Sequence, residues 1–345
     1  MKDVAGHAGV SMGTVSHVIN GSAHVREPLR QRVLQTIRDL GYQPSQLARG
    51  LRRNQSNIAG MIVPDITNPF FTAVVRGAED IFYQNGLRLL LCNTDNDPAK
   101  ELAYWHDLQS YRTAGLILIP SVNSQMGSVH FERSFPVVCL DRLPKGWERD
   151  SIAVDNTAGA EAATSHLLSL GHRRIGVITG DMKLANAVNR LEGFRAAMRR
   201  ADIEVEPEYI QEGRFNRLSG YEKMGVLLRL QPRPTAVFAS NDLIALGVLA
   251  ALRENGLRCP EDISLVGFDD LEFSEFTLPA LTTVSQPGYQ MGTKGAALLL
   301  KRVNGAADPP QHIVLPTELH LRQSTARPAG ASSRLLSITE PRVIG

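Results

Sequence analysis

Cysteine is scarce in this chain: Cys92, Cys139 and Cys259 are the three among 345 residues. They are far apart, odd in number and without metal-ligand spacing, which excludes a disulfide framework and a thiolate metal centre; they read as buried thiols of a reducing compartment. Long apolar runs are also missing. No stretch approaches the roughly 20 apolar residues of a membrane span, and no N-terminal segment resembles a signal peptide, so a cytoplasmic chain with no membrane partner is expected. The common catalytic signatures are absent too: no Gly-x-Gly-x-x-Gly after a strand pattern, no Gly-x-x-x-x-Gly-Lys, no His-Glu-x-x-His. Gly9-Val10-Ser11-Met12-Gly13 formally matches a nucleophile elbow, but that motif needs a strand before it, and here a helix pattern precedes. An enzyme is not expected, and no catalytic residue, metal or cofactor is assigned.

Net charge is only +2 but unevenly placed. Residues 1–57 carry eight Lys/Arg against three acidic residues, an excess of +5 that leaves −3 for the remainder. The basic front segment suits a polyanion, whereas the rest offers no general basic surface. With 43% hydrophobic residues, the chain can bury one large core or two medium ones besides a small N-terminal unit.

Residues 3–20 read as two short helices joined by a tight turn at Gly9, the pattern of a helix-turn-helix. On the second helix Val15, Val18 and Ile19 form one apolar stripe, and Met12, Gly13, Ser16, His17 and Asn20 are read onto the opposite face. Ser11 stands at the N-cap and Gly21 where a left-handed residue is wanted. A third helix follows, with Pro28 in its first turn, Leu29, Val33, Leu34, Ile37 and Leu40 at helical spacing, and Gly41 then Pro44 to stop it. The stretch 44–53 is helix-compatible but too short to persist alone.

From Ile58 the pattern becomes apolar runs separated by helical segments: 58–63, 87–92, 115–119, 137–140, 175–179, 236–239 and 263–268 read as buried parallel strands. An α/β chain with two doubly wound parallel sheets is expected. Polar residues follow these strands at Asp65, Asn93, Asp141, Asp181, Asn241 and Asp269, at the carboxyl ends where such sheets bind ligands. Carboxylates, amides, arginines and phenylalanine rings together suit a carbohydrate.

The Val-Ser-His-Val-Ile-Asn run and its helix-turn-helix resemble the lactose-repressor (LacI/GalR) family, and are closest in pattern to its ribose and purine repressors. The resemblance implies that the second helix enters the major groove of double-stranded, pseudo-palindromic operator DNA. Met12, Gly13 and His17 would face bases, with Ser11, Thr14, Ser16 and Asn20 nearer phosphates. It implies a hinge helix at 44–57 that pairs with a second copy's in the minor groove, Leu51 as the wedge and Arg52 among phosphates; a plain basic linker is the alternative. Two departures stand out. Met12 and Gly13 replace the family's usual polar pair, and relatives carry a few residues before the first helix, including a hydroxyl cap for it; a misassigned start is one explanation.

Residues 58–327 resemble periplasmic sugar-binding proteins, ribose binders above all. The resemblance implies an effector set of Asn68, Phe70, Phe71, Asp141, Arg142, Arg190, Phe215, Asn241, Asp269 and Gln286. Other roles stay open: Asn68 and Asn241 as helix caps, Phe70 and Phe71 as rings that fill core, Asp269 as a cap or turn residue, Asp141–Arg142 as a solvated ion pair. Arg195 and Arg199 read as a solvated helix face. The implied layout is a helix-turn-helix domain at 1–43, the hinge at 44–57, an effector domain at 58–328 and a disordered tail at 329–345. Within the effector domain, 58–154 with 285–313 would form one subdomain and 155–284 with 314–328 the other. The function implied is a homodimeric repressor of carbohydrate-utilisation genes, released from its operator by a small sugar, ribose-like pentoses foremost. A sugar phosphate or purine effector is the alternative, and a sugar-binding transport receptor a more distant one.

Overall fold

Two helices meet at Gly9, whose φ of 64° places it in the left-handed region that a tight inter-helix turn requires. The computed structural model describes residues 1–19, 25–42, 56–129, 131 and 135–329. Helix α1 (Lys2–Ala8) and α2 (Met12–Ile19) flank that turn, and α3 (Glu27–Asp39) follows with Pro28 in its first turn. Ser11 Oγ accepts from the Thr14 backbone N–H at 3.1 Å, the expected N-cap of α2. Val4, Ala5, Ala8, Val15, Val18 and Val33 form the core of this unit. Ser16 departs from expectation: it is buried, not on the free face. One residue beyond Val15, it sits only about 100° round the helix, on the flank of the apolar stripe.

Each later strand run lies in one of two six-stranded sheets. The first contains β1 (Ile58–Val63), β2 (Arg88–Asn93), β3 (Leu116–Leu118), β4 (Val137–Leu140), β5 (Ser151–Val154) and β11 (His312–Leu315), in the order β11-β5-β4-β3-β1-β2. The second contains β6 (Ile175–Thr179), β7 (Ile210–Glu212), β8 (Ala236–Ala239), β9 (Ser264–Asp269), β10 (Thr282–Ser285) and β12 (Glu318–His320), in the order β12-β10-β9-β8-β6-β7. All pairings are parallel except that of β12 with β10. In both sheets the order reverses beside the first strand, which places loops from neighbouring strands on opposite sides of a crevice at the carboxyl ends.

The apolar runs are continuous because both sheet faces are covered. On β1, Met61 and Val63 pack with α4 (Pro69–Gln84) and α10 (Gly288–Val303), whereas Ile62 packs with Trp105 and Leu108 of α5 (Pro98–Ser110). In the second sheet, α6 (Asn156–Ser169) and α7 (Ala185–Arg200) cover one face, α8 (Arg217–Leu228) and α9 (Asp242–Glu254) the other. Cys139 is buried as expected, but Cys92 on edge strand β2 and Cys259 in a loop are only half-buried.

The chain passes between the sheets three times, after Val154, after Ser285 and after Leu315. The third passage falls later than expected. Val314 and Leu315 still pair with Ala153 and Val154, so the 313/314 boundary cuts strand β11; Pro316, with no N–H to donate, follows its end. The strands β5, β7, β10, β11 and β12 are not read from the sequence, because each mixes polar residues into three or four positions and leaves no long apolar run.

Helices α4 and α10 approach closely through glycine. A Cβ on Gly292 would stand 2.0 Å from the Val74 carbonyl oxygen, and one on Gly77 2.2 Å from that of Tyr289. Backbone cannot yield as a side chain does, so Gly292→Val is expected to cost about 3 kcal/mol through overpacking. Urea unfolding should show a lowered midpoint for the first transition; an unchanged midpoint would refute this role for the contact.

Candidate functional site

The loops at the carboxyl ends of both sheets enclose a cleft of about 460 Å3. All ten residues of the expected effector set line it. Asn68 caps α4, its Oδ1 accepting from the Phe70 N–H at 3.0 Å, with Pro69 in the first turn. Phe70 and Phe71 follow, their rings edge to face with centroids 5.3 Å apart. Asn241 caps α9 in the same way, accepting from the Ile244 N–H at 2.9 Å. Each amide thus caps a helix with one atom while its side chain lines the cleft. Phe215 lies across Gly180, where a Cβ would stand 2.4 Å from the ring.

Asp141 and Arg142 are both buried and form no ion pair with each other. Asp141 takes a φ of 66°, a left-handed conformation that aspartate tolerates better than most side chains. Its Oδ2 accepts a long bond from Asn186 Nδ2 at 3.4 Å, and Oδ1 has no partner. Arg142 donates to Asn96 Oδ1 at 3.1 Å and lies over the Phe71 ring, leaving its Nε unpaired. Burial pushes the Asp141 carboxyl up, against the pull of Arg142 and Arg190.

Arg190 is the buried centre of the opposite wall. It donates to Asn156 Oδ1 at 2.8 Å and to the Ser240 carbonyl at 2.6 Å, and lies 3.8 Å from the Phe268 ring centroid. Asp269 Oδ1 lies 3.6 Å from its Nη1. Gln286 Nε2 donates to Asp269 Oδ1, while Gln286 Oε1 is buried without a partner. Asp269 adopts a φ of 118°. Burial pushes its carboxyl up to about 8, Arg190 opposing and Asp242 adding to the rise.

The cleft also draws in residues that sequence reading did not name as site residues, among them Asn96, Asn123, Lys183, Asn186 and Arg214. Asn186 lies one turn before Arg190 on α7, so i, i+4 spacing alone could have found it. Of the polar residues read after the strands, Asp65 and Asp181 also line the cleft; Asn93 does not, its Oδ1 accepting from the Ile66 N–H. Arg195 and Arg199 pair with Glu192 on an exposed face of α7.

On α2, Ser11 just before it, Met12, Gly13 and His17 are exposed and Thr14 is half-exposed. Asn20, residues 44–55 of the expected hinge with Leu51 and Arg52, and the tail beyond residue 329 lie outside the described residues.

Residues 1–45 match the bacterial regulatory proteins of the lacI family, and residues 164–325 a periplasmic binding protein-like domain. The HTH-type transcriptional repressor PurR of Histophilus somni (strain 129Pt) is 38% identical over 327 residues, covering 94% of this chain and 98% of that one. The chain belongs to the LacI family. The ribose operon repressor of Escherichia coli (strain K12) is 39% identical over 305 residues, 88% of this chain and 92% of that one. Among solved structures, the lac repressor dimer bound to operator and the anti-inducer ONPF matches with a TM-score of 0.84 at 29% identity, covering 94% and 98% of the two chains. A LacI family regulator from Enterococcus faecium with bound ribose matches with a TM-score of 0.71 at 32% identity, covering 78% and 99%. This chain is a LacI-family transcriptional repressor, of a family of DNA-binding regulators and not enzymes.

The raised Asp269 carboxyl has a consequence for the ligand-free LacI-family chain. The unfolded chain releases this proton near pH 4, the folded chain near 8, so stability falls as pH rises between the two. Asp269→Asn removes that component. Between pH 5 and 8.5 the loss of melting temperature should be smaller in the variant, by at least about 2 °C; equal losses would refute the assignment.

Proposed function

We propose that the cleft binds a neutral, hydroxyl-rich sugar, with ribose-like pentoses foremost, and that binding releases the repressor from the operator of carbohydrate-utilisation genes. One observation carries the reading. Asp141 Oδ1 and Gln286 Oε1 are buried acceptors without partners and Arg142 Nε a buried donor without one, all in a cleft flanked by Phe70, Phe71 and Phe215. Unsatisfied buried polar atoms are costly, and vicinal hydroxyls, which donate and accept, would satisfy them while the rings take the apolar face of the sugar. The cleft lining holds five carboxylates, Asp65, Asp95, Asp141, Asp181 and Asp269, against the cations Arg142, Lys183, Arg190 and Arg214. With the Asp269 carboxyl pushed up to about 8, the two signs are equal in number at neutral pH, so the lining offers a phosphate dianion no cationic excess. The bound ribose of the Enterococcus faecium regulator and the name of the Escherichia coli relative support the same class.

The proposed working unit is a cytoplasmic homodimer, as in the operator-bound lac repressor dimer. Two copies of α2 would enter successive major grooves through Met12, Gly13 and His17. Sugar binding would change the relative placement of the two sheets and, through it, the spacing of the two DNA-reading units. Release requires the sugar to bind the released arrangement more tightly.

The test starts from an operator selected with the full chain out of a randomised duplex pool. Binding is measured at one fixed salt concentration while ribose, other pentoses, hexoses, sugar phosphates and purines are titrated. Ribose or a related pentose should weaken operator binding at least tenfold, and Arg190→Ala should abolish that response with operator affinity kept within threefold. A response to sugar phosphate or purine alone would overturn the neutral-sugar reading.

A further inference from the structure

Behind the cleft lies a residue that does not line it. Asn156 is buried and opens α6, where the chain has just left β5 for the second sheet. Its Oδ1 accepts from Arg190 Nε at 2.8 Å, and its Nδ2 donates to the Val154 carbonyl at 3.4 Å, the last residue of β5. Val154 stands in register with Leu315, the last residue before the third passage between the sheets. On the other side of Arg190, Asp269 accepts from Gln286 Nε2, and the Gln286 backbone N–H donates to the Asp269 carbonyl. Gln286 directly follows β10, at the second passage. The side chains Asn156, Arg190, Asp269 and Gln286 therefore form one chain of polar contacts joining two of the crossings through the centre of the cleft.

We propose that Asn156 is a positioning residue whose hydrogen bond to Arg190 transmits occupancy of the cleft to the crossing segments. The proposal rests on the effector reading above. A guanidinium is a rigid planar fork: with Nε held by Asn156 and Nη1 by the Ser240 carbonyl, a ligand that engages Nη2 cannot tilt the plane without moving both partners. Ser240 belongs to the second sheet's own loops, but Asn156 is tied to the backbone of β5 in the first. Displacement at Arg190 is thus felt where the sheets change their relative placement. The contact is buried, where a low local dielectric strengthens the hydrogen bond.

The test uses the full chain, the selected operator and D-ribose, or whichever sugar of the titration releases the unsubstituted protein. Sugar affinity is measured by calorimetry, and coupling as the ratio of operator Kd at saturating sugar to that without sugar. Asn156→Ala should reduce this ratio at least fivefold while operator affinity without sugar stays within threefold. Asn156→Asp keeps the acceptor for Arg190 and should recover much of the coupling. Should the alanine variant fail to fold, Asn156→Ser, too short to reach Arg190, gives the same reading. Saturation separates the roles: a variant that binds sugar more weakly but releases the operator fully once saturated has lost affinity alone, and overturns the proposal. An unsubstituted chain indifferent to the entire panel would overturn the effector reading and the proposal with it; a responsive one with an unaltered Asn156→Ala overturns the proposal alone.

Discussion

Arg190 is a cation with almost no access to water, and much of the effector domain is arranged around meeting its needs. Taking a charge out of water costs several kcal/mol unless geometry is good and every donor finds a partner. Here the partners come from separate elements: Asn156 from the start of α6, the Ser240 carbonyl from the loop after β8, Asp269 from the end of β9, and the Phe268 ring below. None of these is local to α7, so the ion cannot be satisfied until the second sheet is assembled. Asp269, with Asp242 behind it and its own carboxyl pushed up to about 8, is a reluctant counter-ion. A hydroxyl-rich ligand would supply the donor that the nearby Asp141 Oδ1 lacks.

The sheets divide rigidity from movement. Within each, helices cover both faces, and glycines at Gly77, Gly193, Gly220, Gly247 and Gly292 let backbones approach too closely for a Cβ. Interiors packed in this way deform little. The connections between the sheets are three short segments, so relative movement has few places to occur. The cleft residues lie at the carboxyl ends of strands on both sides of those segments, so a ligand that bridged them would act close to the crossings.

Local chemistry was the legible part. Asn68-Pro69 and Asn241 can be read as helix starts from the residues alone, because a cap is satisfied within three positions. Asp141 and Asp269 stand out as polar residues that follow strands, but Arg190 and Gln286 could be picked out only by the order in which a resembling family presents them, since nothing nearby in sequence distinguishes Arg190 from the exposed Arg195 and Arg199. Asn156 and Asn96 were illegible: each acts by receiving an arginine hydrogen bond from a residue 34 or 46 positions away. Ser16 was misjudged for a geometric reason, because a residue on the flank of an apolar stripe is buried or free according to what packs beside it. The end of β11 was likewise set by its partner strand, through Val154, and not by its own composition.

The composition of α2 bears on how such a molecule would let go of DNA. Met12 and Gly13 are exposed and offer bases an apolar chain and bare backbone, leaving His17 as the main polar side chain of that face. Each good bidentate base contact contributes about 1–3 kcal/mol of discrimination against the wrong base. With few such contacts, the proposed dimer must draw its selectivity from the spacing of two half-sites and from DNA deformation. Those are properties of the relative placement of two subunits, and they degrade when that placement shifts. In the proposed repressor a rearrangement about the crossings would disturb that placement, and the sparse reading face and the cleft built around Arg190 would be the two ends of one device.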